Sequence, residues 1–225
     1  MGQTYVKAGN CERLVTVTTN APGRSEPAGR VRADLVRAAR TLLERSGTED
    51  AVTLRATARE AGVTAPAIYT YFTGVEELVR AVIGEAFAEF DQAVRSAMRD
   101  ISDPADRLEA GCWAYLQYAY ANAATYQALF TRSRPSEVPA AGLAAAQLFQ
   151  LLLDEIAHCR GGRTGGPDVD VVGVLLWTGL HGLAALPPHH PRFPWPEKRQ
   201  LLGQLLHTLI STSSPTTAER AGDQA

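Results

Sequence analysis

The stretch TLRATAREAGVTAPAIYTYFTGVEEL, residues 53–78, constrains the fold more than any other part of the chain. Thr53 is placed to cap a helix, and Leu54, Ala58 and Ala61 then recur near helical spacing, so a short helix is predicted over 54–60. Gly62 ends it by supplying a left-handed backbone, and Val63 is placed to plug the corner that follows. Thr64 can cap a second helix over 65–71, with Pro66 in the first turn, where no backbone N–H is needed. Two short helices across a tight turn, the second with a small and polar outer face, describe a helix-turn-helix. Such a pair cannot enclose a core alone, so Leu54, Ala58, Val63, Ile68 and Phe72 need a partner.

That partner lies just upstream. Val31, Leu35, Ala38, Ala39, Leu42 and Leu43 follow the helical period up to Gly47, predicting a helix over 31–46 and a three-helix head. Arg32, Arg37 and Arg40 fall off its apolar stripe and are candidates for phosphate contacts or for solubility. A helix reads the major groove only if its leading face is small, a condition that Thr64, Ala65, Pro66 and Ala67 meet. Tyr69 and Tyr71 add hydroxyls that can bond phosphates, although Tyr71 is equally suited to half-burial against the first helix.

Read in order, Thr53, Ala61-Gly62-Val63-Thr64, Ala65-Pro66-Ala67, Ile68-Tyr69-Thr70-Tyr71-Phe72 and Val75-Glu76-Glu77-Leu78 resemble the signature of the TetR family of transcriptional regulators. Two positions depart from it: Val75 stands where that family usually has Lys, and Thr57 where it usually has Ile, putting a polar group at a semi-buried site. The resemblance implies DNA-contact roles for Thr53, Thr64, Tyr69 and Tyr71, with Arg55 and Thr70 as further candidates. It also implies repression more often than activation.

The remaining sequence predicts helices throughout, so the fold class is all-α. A helix over 75–101 would extend about 40 Å, long enough to leave the head and enter a second domain. Further helices are predicted over 104–121, from Asn122 as cap through 130, and over 138–158, 168–186 and 195–210, with a Pro-rich connector at 187–194. The domain reading is a flexible tail over 1–29, a DNA-binding head over 30–74, a regulatory and dimerisation domain over 75–211, and a flexible end over 212–225. Within the tail, Leu14 to Thr18 alternates like a strand that has no partner. Arg24, Arg30 and Arg32 near its end could reach DNA phosphates or the minor groove, or serve only as exposed charges.

In the second domain Trp177, His181 and Gly182 resemble a Trp-x-x-x-His-Gly pattern of some regulators in the same family. Aromatics on the middle helices could line a site for a small apolar or aromatic ligand. Trp113, Tyr120, Tyr126, Phe130, Phe149 and Trp177 are the candidates, with Gln117 and His181 to orient the ligand, although such stripes also serve as plain core. A single head makes few contacts, whereas specific binding requires a dissociation constant of about 10⁻⁸ M or tighter, so a homodimer on a palindromic operator is expected. Gly173, Leu176 and Leu180, with Leu202, Leu205, Leu206 and Leu209, are the candidate interface, pairing the last two helices into a four-helix bundle.

Charge agrees with a polyanion partner at one end. The chain carries a net −2, while residues 1–45 hold eight Lys or Arg against four Asp or Glu, a local +4 that leaves −6 for the rest. Three widely spaced cysteines suggest neither a disulfide framework nor a zinc site, so a reduced cytoplasm is expected. The apolar run 171–186 is shorter than the roughly 20 residues that cross a bilayer, and no membrane association is expected. A rival enzyme reading lacks paired carboxylates, a phosphate-cradling loop or a nucleophile with its base. No cofactor or metal is expected. A second rival keeps the DNA-binding fold but answers to protein partners in place of a ligand.

Overall fold

The computed structural model describes residues 25–131, 139–161 and 167–210, and every regular element among them is helical. In chain order they are α1 (Ser25–Ser46), a 3-10 turn (Glu49–Ala51), α2 (Leu54–Glu60), α3 (Ala65–Ile68), α4 (Val75–Met98), α5 (Pro104–Ala121), α6 (Ala123–Thr131), α7 (Pro139–Cys159), α8 (Pro167–His189) and α9 (Lys198–Ile210). The strand-like pattern at residues 14–18 and residues 132–138, 162–166 and 211–225 lie outside the described residues.

The head forms as its pattern dictates, with two changes at helix ends. First, α1 begins at Ser25, inside the stretch assigned to the tail. Second, α3 ends at Ile68, because the next residues close with tighter i to i+3 bonds, Thr70 N–H to the Ala67 carbonyl at 3.1 Å and Tyr71 N–H to Ile68 at 2.9 Å. Thr53 caps α2, its hydroxyl accepting the Ala56 amide at 3.1 Å. Thr64 has the extended backbone of a cap but makes no side-chain capping bond. Gly62 sits at φ 71°, and Val63 N–H returns to the Ala58 carbonyl at 2.9 Å.

Leu35, Ala39, Ala58, Ile68 and Phe72 close the core between α1 and the helix-turn-helix. Thr57 is wholly buried there, and its hydroxyl has no hydrogen-bond partner. Thr57→Val removes that unsatisfied group at nearly constant shape and is expected to stabilise the protein by about 1 kcal/mol, measured by denaturant unfolding; no gain, or a loss, would show that the hydroxyl is satisfied in solution.

α4 leaves the head and runs about 36 Å through the body, packing on α1, α5, α6 and α7. It stops at Met98, short of the expected Ile101, because Arg99 is extended and Asp100 adopts φ 63°. Glu77 secures its start by accepting both the amide and the hydroxyl of Thr73 at 2.8 Å, bonds that hold its carboxyl below the usual range. Asp103 caps α5 through the amides of Ala105 and Asp106. At the centre of the body Phe90 stacks on Tyr118 at 4.8 Å and meets Tyr115 edge-on at 4.9 Å.

Three expectations in the body are corrected. Asn122 does not cap α6: its oxygen accepts from Arg40 at 2.7 Å, while Glu44 of α1 takes the first α6 amides, Thr125 N–H at 2.8 Å and Ala124 N–H at 3.3 Å. α8 does not break at Pro187 but continues through Pro187 and Pro188 to His189. Pro187 cannot donate to the Leu183 carbonyl one turn back, and the Tyr120 hydroxyl fills that acceptor at 2.9 Å. Finally, α9 starts at Lys198 instead of Trp195, after Glu197 receives the Arg199 amide at 2.7 Å.

Because α8 runs on, Asp168–His189 is 22 residues long and holds an 18-residue window with a mean hydropathy of 1.7, long and apolar enough to span a bilayer by that measure alone. Its packing explains the composition in part, since Leu176 and Leu180 enter the core while Val171, Val174 and Leu175 stay exposed.

Candidate nucleic-acid interface and ligand cavity

Ile68 and Phe72, both buried, pin α3 to the head and turn its other side outward. Thr64, Ala65, Pro66, Tyr69 and Thr70 are exposed together there, with Tyr69 64% exposed, and Thr53 and Arg55 are exposed on the neighbouring start of α2. Ala67 and Tyr71 are half-buried, Tyr71 against the core. The surface is therefore small and polar, flanked by a projecting phenol, as insertion into a groove requires.

The α1 arginines are not equivalent. Arg32 lies 5.0 Å over the Phe72 ring, and Arg37 pairs with Asp34 at 2.8 Å. Arg40 turns away from the exposed face of α3 to bond Glu89 of α4 and Asn122, so it joins the head to the body. Arg45 pairs with Glu60 at 3.1 Å and ties the end of α1 to α2.

Behind the head, α4 to α8 line a half-open cavity of about 380 Å³. Of the eight ligand candidates, Phe130, Phe149 and Trp177 line it. Tyr126 and His181 stand one layer back, in a chain that runs from the Tyr115 hydroxyl to Tyr126 at 2.7 Å and on to His181 Nδ1 at 2.8 Å. Burial raises both tyrosine pKa values, Tyr115 to about 12, and lowers that of His181, so all three are neutral near pH 7. The other three lie elsewhere. Trp113 packs under Arg199 at 4.9 Å, Gln117 is exposed, and Tyr120 faces Lys198 and the Leu183 carbonyl.

The wall also includes Phe87, Val94 and Met98 of α4, Cys112 of α5, and Leu152 and Glu155 of α7. Sequence reasoning passed over these because a stripe facing a cavity has the same period as one facing solid core. A second cavity of about 350 Å³ lies where the end of α1 meets α6 and α8, with Glu44, Gln127, His181 and His189 on its walls. Phe130 borders both spaces.

The candidate interface residues divide by depth. Leu176, Leu180 and Leu202 are buried within the subunit's own core, and Gly173 sits against Leu153, where an added Cβ would lie 2.2 Å from a methyl carbon. Leu205, Leu206 and Leu209 are half-buried, Leu205 lying over Gly179. The exposed side of α8 instead presents Val171 and Leu175, with Val174 and Trp177 at the edge of the cavity, at 57, 51, 49 and 40% exposure. An apolar strip of this kind on one helix is unusual for a surface that stays in water.

Two family descriptions match the chain, bacterial regulatory proteins of the tetR family over residues 35–82, and a tetracyclin repressor-like C-terminal domain over residues 108–210. No curated protein matches it. Among solved structures it is similar to a protein of unknown function from Rhodococcus sp. RHA1, with 24% identity, 80% of this chain and 94% of that one covered, and a TM-score of 0.67. It is similar to the FadR regulator of Bacillus subtilis in complex with stearoyl-CoA, with 14% identity, 80 and 97% covered, and a TM-score of 0.64. It is also similar to RolR in complex with resorcinol, with 20% identity, 82 and 90% covered, and a TM-score of 0.55. At these identities the structural likeness is one of fold.

Proposed function

Because the chain belongs to the TetR family of transcriptional regulators, we propose that this DNA-binding regulator is a ligand-responsive repressor that binds a palindromic operator as a homodimer in the cytoplasm. The observation that carries the reading is the pairing, on one continuous α4, of an outward-facing α3 and an apolar cavity behind the head. FadR with stearoyl-CoA and RolR with resorcinol support a ligand in that space, here a small apolar or aromatic one. The exposed strip on α8 supports pairing with a second copy, with α9 beside it. A ligand acts only through its differential affinity for head separations that do and do not match successive major grooves.

Selection from random duplexes tests this directly: an enriched palindrome whose binding weakens steeply with salt is the expected result, and recovery of no preferred duplex would overturn the reading. On such a palindrome Tyr69→Ala is expected to lower affinity at least about tenfold, since each dimer loses two phenols from its contact surface. Tyr69 is 64% exposed, so the thermal midpoint should hold; unchanged affinity would remove Tyr69 from the interface.

A further inference from the structure

The wall of the larger cavity is carbon almost throughout, and its polar groups have distinct states. Burial raises the Cys112 thiol to about 12, so it is neutral at physiological pH. The Tyr115 hydroxyl is engaged with Tyr126 at 2.7 Å. Glu155 remains, 6% exposed on α7 and bordering the cavity. One of its oxygens accepts Arg107 Nε at 2.7 Å, and the same guanidinium donates to the Ile101 carbonyl at 3.2 Å, directing it to the corner between α4 and α5. His158, 3.8 Å from the other oxygen, has a half-exposed side chain and does not border the cavity. Among the described residues no Lys or Arg lines this space.

Taking the cavity as the regulator's ligand site, we infer that Glu155 selects the ligand by charge, admitting an apolar molecule with one hydrogen-bond donor, a hydroxyl or an ammonium, and disfavouring carboxylates and phosphates. A donor placed at that end meets a carboxylate oxygen in a low-dielectric setting, where the bond is strong. An anion meets like charge with Arg107 already committed, and a charge buried without a partner is strongly disfavoured.

The test is calorimetric titration of the full-length protein without DNA, at neutral pH and below micelle concentrations, using 1-decanol, decylamine and decanoate, which share one alkyl chain. Decanol and decylamine are expected to bind, and decanoate at least about tenfold more weakly. Glu155→Gln, which keeps an acceptor for Arg107, should bring decanoate to within about threefold of decanol. Glu109→Gln, which removes an exposed carboxylate paired with Arg199 on the outside of α5, should leave the ranking unchanged. The wild-type ranking stands by itself if Glu155→Gln does not fold. Decanoate binding as tightly as decanol, or no binding by any of the three, would overturn the inference. Equal binding of all three leaves the regulator reading intact, and failure to find an operator leaves the ranking intact.

Discussion

Leu175→Arg is expected to lower operator affinity by at least about a hundredfold while leaving the subunit folded, because joining two heads raises the effective concentration of the second by orders of magnitude. Leu175 is 51% exposed on the outer face of α8, beside Val171 and Val174, so a guanidinium there costs the isolated subunit little. Across a twofold axis the same residue meets its own copy or a near neighbour, so the dimer would have to bury two like charges in an apolar seam. Light scattering should report a monomer at concentrations where the parent is dimeric, and circular dichroism an unchanged thermal midpoint. A variant that stays dimeric and binds the operator normally would move the interface elsewhere.

Phe90→Ala should produce the largest loss of stability, about 3–5 kcal/mol. The ring is fully buried and contacts Tyr115, Tyr118 and Tyr126, so one side chain of α4 holds α5 and α6 together. Removing it leaves a void that three tyrosines, each engaged through its hydroxyl, cannot collapse to fill. The thermal midpoint should fall by about 10 °C in a calorimetric scan. A change below about 1 kcal/mol would show that this centre repacks freely.

Much of the architecture was legible in the sequence because its signals are local. The positions of α2, the Gly62 turn and the start of α5 follow from caps and breakers within a few residues of one another. What escaped depends on partners distant in the chain. The cap of α6 is a carboxylate some eighty positions upstream, and the prolines of α8 are tolerated because Tyr120 answers the carbonyl they leave open. The ligand candidates divided for the same reason. Trp113 and Tyr120 share α5 with Cys112 and Tyr115, but one face meets α8 and α9 while the other meets the void. Nothing in a single helical period distinguishes those two outcomes.

The carboxylate of Glu44 gives the body a mechanical rule. A helix whose opening amides are gripped by a neighbouring segment cannot slide alone: it gives up two part-buried bonds to a carboxylate or carries its holder along. Here the holder sits near the end of the same rod that supports the exposed face of α3. A displacement of Phe130, at the far end of that short helix, would reach α1 through Glu44 wherever those two bonds hold.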